Sequence, residues 1–443
     1  MTPITIHTGT IAHLRGDPFA GEGALEIIER GALAINLSGR IASLGERKSV
    51  LAALPQSEII DHGSAWIIPG LIDAHLHFPQ FYATAGLGKG LLDWLENTIY
   101  PAEASFACES FAREAAQHFV ERLLACGTTT AMVFGSQFYE ANVALFDAAR
   151  QSGIRLIAGM TLMDRNAPHP LLRTAEQSID EIEKLIGVCQ SAPLLHYAIT
   201  PRFALSCSPE LLEMCSTLLR GHPECYLQTH INETRSEIAA VRAAFPRSRH
   251  YLDVYDSFGL IAERTVLAHS LYTTETEMDR MAEASCAVCH CPTSNAYLGS
   301  GLFPLQEHLR HGIRVAVGTD IGAGTQFSVW RELSETYKVQ QLQGFCLNAE
   351  RLLYLATLGG AKALRLENEA GNFEPGKSAD FFVLKHGEDR YLSARLARCE
   401  NLMEQLFCLL QLADERHIHS TYVHGRIAAP YRKPDPLENV IFR

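Results

Sequence analysis

Pro69-Gly70-Leu71-Ile72-Asp73-Ala74-His75-Leu76-His77 ends a long apolar run with two histidines one residue apart. Side chains two apart on a strand share a face, so both imidazoles point the same way and can hold one ion. A near-continuous apolar run marks a strand buried on both faces. H-x-H alone is a weak sign, because polar residues commonly end strands. Its weight comes from downstream. His230 follows the run Cys225–Thr229, His269 follows Thr265–Ala268, and Asp320 closes Val315-Ala316-Val317-Gly318-Thr319. Residues so distant in sequence meet only if their runs are neighbouring strands with a common exit face.

Eight runs fit that requirement: Trp66–Leu76, Thr128–Phe134, Arg155–Leu162, Leu194–Thr200, Cys225–Thr229, Thr265–Ala268, Cys286–Cys291 and Arg314–Gly318. Helical stretches separate them, which predicts βαβ units with right-handed crossovers. Eight such units imply an α/β chain built on a (β/α)8 TIM-type barrel, whose active site lies at the C-terminal strand ends. The flanks have short β-like segments and Gly turns, such as Ala32–Leu37, residues 371–384 and 421–428. They predict a small β-sandwich domain drawn from both termini: residues 1–65 and 371–443, the latter with a helical stretch, around a barrel over 66–370.

Composition narrows the function. Of the 443 residues, 47% are hydrophobic and 20% charged, with a formal net charge of -12. No basic cluster offers a face to a phosphate backbone, which argues against nucleic acid. No run approaches the roughly 20 apolar residues that span a bilayer. The first residues lack the pattern of a secretory signal. Twelve cysteines in such a chain read as reduced thiols, and a cytoplasmic protein is expected.

Three imidazoles and a carboxylate at one strand-end face make a metal site. Nitrogen and oxygen donors with an open position favour catalytic zinc, with iron(II) or manganese left open. Glu233, three residues past His230, is placed to take a proton from bound water without binding the ion. Asp320 sits after small or apolar residues, where a carboxylate needs a partner; a metal supplies one, and a helix cap is the plainer alternative. Only Lys89 and Lys184 lie between His77 and His230. Lys184 has helical surroundings, so no lysine is placed to bridge two metals, and one ion per chain is expected.

Cys286-Ala287-Val288-Cys289-His290 matches a haem-attachment pattern, but it lies inside a strand-like run and reads as small core residues. P-loop, H-E-x-x-H and dinucleotide fingerprints are absent from the sequence.

With these motifs assembled, the chain resembles the amidohydrolase superfamily. The resemblance runs from Pro69–His77 through His230, His269, Cys291-Pro292-Thr293-Ser294-Asn295 and Gly318-Thr319-Asp320 to Gly371–Asp380. Within it, His77-Phe78-Pro79-Gln80, Leu91-Leu92-Asp93-Trp94-Leu95 and Thr200-Pro201-Arg202-Phe203-Ala204-Leu205-Ser206-Cys207-Ser208 are similar to members that deaminate guanine. The resemblance implies one zinc on His75, His77, His230 and Asp320, with Glu233 as proton shuttle and His269 orienting the reacting centre. It implies that Gln80, Arg202, Phe203 and His230 contact the small-molecule substrate, and that the protein is a homodimer. The implied reaction is hydrolytic deamination of guanine to xanthine and ammonia by zinc-activated water. The alternatives are a related ring (another purine, a pterin, a pyrimidine or a triazine) and a non-catalytic barrel scaffold. Plainer readings also stand: Arg202 pairs with an acid, Phe203 belongs to the core, Gln80 caps a loop. Trp94 and Asp164 stand at the expected pocket rim without an assigned role.

Overall fold

The computed structural model describes residues 4–87 and 90–430. Lys89 and residues 431–443 of the expected C-terminal segment lie outside the described residues.

Eight parallel strands form the larger sheet: β1 (Leu71–His77), β2 (Thr128–Phe134), β3 (Arg155–Gly159), β4 (Leu195–Pro201), β5 (Tyr226–Ile231), β6 (Thr265–His269), β7 (Ala287–His290) and β8 (Arg314–Val317). They neighbour one another in chain order. The two-residue strand Thr161–Leu162 extends the β4 pairing. The barrel closes through the segment after β8. Asp320 N donates to His75 O at 2.8 Å and His77 N to Ile321 O at 2.6 Å. Buried Asp73 accepts from Thr319 N at 3.0 Å and from Thr319 Oγ1 at 2.6 Å.

Period-two alternation sorts the strand residues. Ile72, Ala74, Met132, Ile157, Ala198, Val266, Ala287, Cys289 and Ala316 fill the barrel interior. Leu156, Ile199, Leu227, Leu267, Val288 and Val315 join the larger core with helix residues such as Phe119, Leu185 and Leu211. Two buried faces per strand explain the unbroken apolar runs. Cys289 and Cys291 belong to the interior cluster and Cys286 to the outer one, so this cysteine-rich stretch is core.

The second sheet has seven strands, ordered Arg426–Pro430, Ile418–Val423, Phe381–Leu384, Glu58–Pro69, Thr5–Leu14, Leu25–Ile35 and Ile41–Glu46. Both ends of the chain supply it. The run Trp66–Leu76, read from sequence as one strand, divides in two. Trp66 to Pro69 pair with Phe381–Leu384 in this second sheet, and the barrel strand begins only at Leu71. The break is at Gly70, where a Cβ would lie 2.0 Å from Thr129 Oγ1. Apolar composition continues across the break because both halves are buried, and that hid the division.

Glycine at 159 is required by close approach: a Cβ there would lie 1.7 Å from the carbonyl oxygen of Ala198 on β4. Gly159→Ala therefore forces β3 and β4 apart. We expect a loss of at least ~2 kcal/mol, measured as a lowered midpoint of urea unfolding; an unchanged midpoint contradicts this packing.

Candidate active site

β1, β5, β6 and the segment after β8 deliver their polar ends to one point. Nε2 of His75 and Nε2 of His77 each lie 3.2 Å from Asp320 Oδ1. His230 Nε2 is 3.2 Å from His77 Nε2, and His269 Nε2 is 3.8 Å from Asp320 Oδ2. Ligand atoms of His75, His230 and His269 all fall within 4.8 Å of one another. Cys291 is equally close to His75 and Asp320, but burial holds its thiol well above the ordinary range, which favours the neutral form.

The surrounding contacts fix these groups. His230 Nδ1 donates to Arg202 O at 2.5 Å, which leaves Nε2 as its one available nitrogen. His269 Nδ1 meets Asn295 Oδ1 at 2.9 Å, and Ser294 Oγ donates to Asp320 Oδ2 at 2.6 Å. Asn232, His269, Ser270 and Asp320 have φ of 50°, 71°, 53° and 49°. Left-handed backbone at non-glycine residues is uncommon and persists where surrounding structure over-determines it. Here it lies where the chain leaves the strands: His269 and Asp320 line the cavity, while Asn232 and Ser270 bond to Thr273.

Electrostatics suit a cation. Burial lowers His75, takes His77 down to about 4 and holds His230 well below its usual value, so all three present neutral nitrogens. Burial opposes ionisation of Asp320, yet His75, His77 and His269 keep its carboxyl well below the carboxylate range. Nε2 of His75 is buried without a hydrogen-bond partner, although Asp320 is close. A metal ion would satisfy that orphaned nitrogen. The donor set of imidazoles and carboxylate fits zinc.

Glu233 lies across this centre, with Oε2 3.7 Å from His269 Nε2. Burial first, and the charge of Asp320 second, push its carboxyl up to about 8. Ser300 Oγ donates to its Oε1 at 2.9 Å. The backbone N–H of Glu233 donates to Glu237 Oε2 at 2.9 Å. Glu237 forms a capping box with Thr234 at the start of the helix Arg235–Ala244, so the helix cap also anchors the carboxylate. The sequence reading missed Glu237, although Thr234-x-x-Glu237 is a local signal for that cap.

Gln80, Arg202 and Phe203 line the same cavity as His77, Glu233 and Asp320, with Trp94 and Leu298 as apolar wall. Arg202 does pair with an acid: its Nη1 donates to Glu103 Oε1 at 2.9 Å and Oε2 at 2.7 Å. Gln80 donates to Glu103 at 2.9 Å and accepts from Gly322 N at 3.1 Å. Phe203 is buried with Trp94 and Tyr100. These contacts bear out the plain readings of Arg202 and Phe203, and all three residues also line the cavity. Glu103 was not foreseen; it lies on the short helix Tyr100–Ala104, in a stretch with no motif. Asp164 instead accepts from Ser208 N at 2.8 Å, where the helix Pro209–Gly221 begins.

A parallel barrel with neutral imidazoles and a carboxylate gathered at its C-terminal face defines a hydrolase whose site can hold a metal ion. Residues 66–428 match the amidohydrolase family, and the chain belongs to that family. It is similar to guanine deaminase of Escherichia coli (strain K12), with 42% identity over 405 residues, covering 91% of this chain and 92% of that protein. The solved structure of the E. coli enzyme superposes with a TM-score of 0.92 at 39% identity, covering 97% of this chain and 100% of that one. A guanine deaminase from C. acetobutylicum, solved with bound guanine in its active site, gives a TM-score of 0.87 at 28% identity, covering 96% and 99%.

Of the twelve cysteines, Cys108 and Cys346 are exposed, while Cys286, Cys289 and Cys291 are buried. A thiol reagent such as DTNB should label Cys108 and Cys346 quickly in the native protein, and the other three only on unfolding. Rapid native labelling of Cys289 or Cys291, read by peptide mass spectrometry, contradicts this placement.

Proposed function

We propose that this chain hydrolyses guanine to xanthine and ammonia, using one zinc ion held by His75, His77, His230 Nε2 and Asp320. The observation that carries the reading is the meeting of two constellations in one cavity. Ring-binding side chains Gln80, Arg202 and Phe203 share it with Glu233 and the imidazole centre. The likeness to guanine deaminases over most of the chain supports the same substrate. When bound, the ion supplies an acidified water, whose pKa a zinc site lowers to about 7.

The chain's own residues do the rest. Glu233 takes the water proton and passes it to the amino group at C2; a C–O bond forms as the C2–N bond breaks. Burial and the charge of Asp320 push the Glu233 carboxyl up, and a cation held beside Asp320 would draw it back toward the ionised form that accepts the water proton. Ser300 holds Oε1, which leaves Oε2 facing His269. His269, braced by Asn295, directs Nε2 toward the reacting centre. Ser294 holds Oδ2 of Asp320, and Oδ1, beside His75 and His77, would be the oxygen that holds the ion. Phe203 packs against the planar ring. Arg202 donates to the oxygen at C6, with Gln80 reading a second edge. With Nδ1 on Arg202 O, His230 has one nitrogen, which we assign to the metal.

A homodimer in the cytoplasm completes the proposal. The family resemblance supports the dimer, and twelve unpaired cysteines support a reducing compartment. Light scattering checks the first, expecting twice the mass of the 48.9 kDa chain. Among the described residues no helix is long and apolar enough to cross a membrane.

Purified enzyme should consume guanine with equimolar release of ammonia and leave adenine and cytosine unchanged. No loss of guanine absorbance sinks the substrate assignment. Glu233→Gln should keep its metal and lose turnover by about 10²-fold or more; an active variant means another group moves the proton. Elemental analysis should find one zinc per chain in the wild type and a clear deficit in His230→Ala. Iron or manganese at that stoichiometry replaces zinc in the assignment.

A further inference from the structure

Behind the ring-binding wall lies a group that the mechanism does not use. Glu103 is 1% exposed and receives four donated hydrogen bonds. Two come from Arg202 Nη1, at 2.9 and 2.7 Å. The others come from Gln80 Nε2 and Gln137 Nε2, each at 2.9 Å. Arg202 is itself buried, stacked 5.3 Å from the Tyr100 ring. Nη1 is committed to Glu103, with Met163 Sδ 3.7 Å away, and Arg202 lines the cavity. Among the described residues no other acid forms an ion pair with Arg202.

We infer that Glu103 is a positioning residue that sets the charge preference of this pocket. It orients Arg202 and Gln80 together, and it cancels the guanidinium charge where the ring binds. An unpaired buried guanidinium attracts anions strongly, whereas one paired with a carboxylate, here with both oxygens on Nη1, offers its remaining donors without net charge. The inference rests on the guanine reading, and it explains how substrate and product are told apart. Guanine is uncharged at neutral pH. Xanthine, with a second carbonyl oxygen in place of the amino group, is more acidic and loses a proton more readily. A pocket with cancelled charge holds the neutral oxopurine through Arg202 and Gln80 and gains little from the product anion. The pair therefore favours release of ionised product.

The test compares xanthine with hypoxanthine, an oxopurine that stays uncharged while xanthine first ionises. Their dissociation constants are measured by calorimetry on metal-loaded enzyme, over a pH series that crosses that ionisation. Taking the ratio cancels titrations of the protein common to both ligands. In the wild type the xanthine-to-hypoxanthine ratio should rise about tenfold or more as xanthine ionises, the scale of a hydrogen bond to a charged group. In Glu103→Gln the rise should vanish or reverse. The KM for guanine should increase by a similar factor while kcat stays within a few-fold, and Glu103→Asp should restore the wild-type trend. A flat ratio in the wild type overturns the inference without any variant, and so does an unchanged rise in Glu103→Gln. Guanine turnover by the wild type separately tests the reading on which this rests.

Discussion

Asp320 is the group on which the site turns. It is a carboxylate removed from water, and its nearest charged or polarisable partners are imidazoles. Burial alone would favour its protonated form, but His75, His77 and His269 reverse that preference. The same burial favours the neutral forms of His75, His77 and His230, so the cluster presents nitrogen lone pairs and one negative charge around a nitrogen of His75 that lacks a hydrogen-bond partner. Among ordinary protein groups none satisfies this arrangement as well as a cation. The energetic logic is that of a buried polar cluster, costly when incomplete and rigid when every member is satisfied.

Barrel closure is what brings Asp320 there. The backbone of Asp320 and His77 bonds across the seam between β8 and β1, and Asp73 grips Thr319 from below. Burial raises the Asp73 carboxyl to about 6. Thus the residues that close the fold are immediate neighbours of those that do chemistry. Fold stability and site geometry share the same few hydrogen bonds, and the left-handed backbone at Asp320 is held by that shared frame.

Much of this was legible in the sequence. Apolar runs ending in His77, His230, His269 and Asp320 foretell strands that end together, because the periodicity of a buried strand and the polarity of its exit are both local signals. Two features were not. The division at Gly70 is hidden because two sheets bury the adjoining segments equally well. The network of Gln80, Glu103, Gln137 and Arg202 joins four distant segments, and nothing in Tyr100–Ala104 distinguishes Glu103 from a surface glutamate. Such contacts arise from tertiary packing, where sequence spacing carries no trace.

The most direct measurement is anomalous X-ray scattering from crystals of the purified protein, with data on both sides of the zinc edge. One zinc peak per chain is expected, enclosed by Nε2 of His75, His77 and His230 and by the Asp320 carboxylate. No peak at that position, or a peak only at the separate group of Cys399, Glu404 and Cys408, contradicts it.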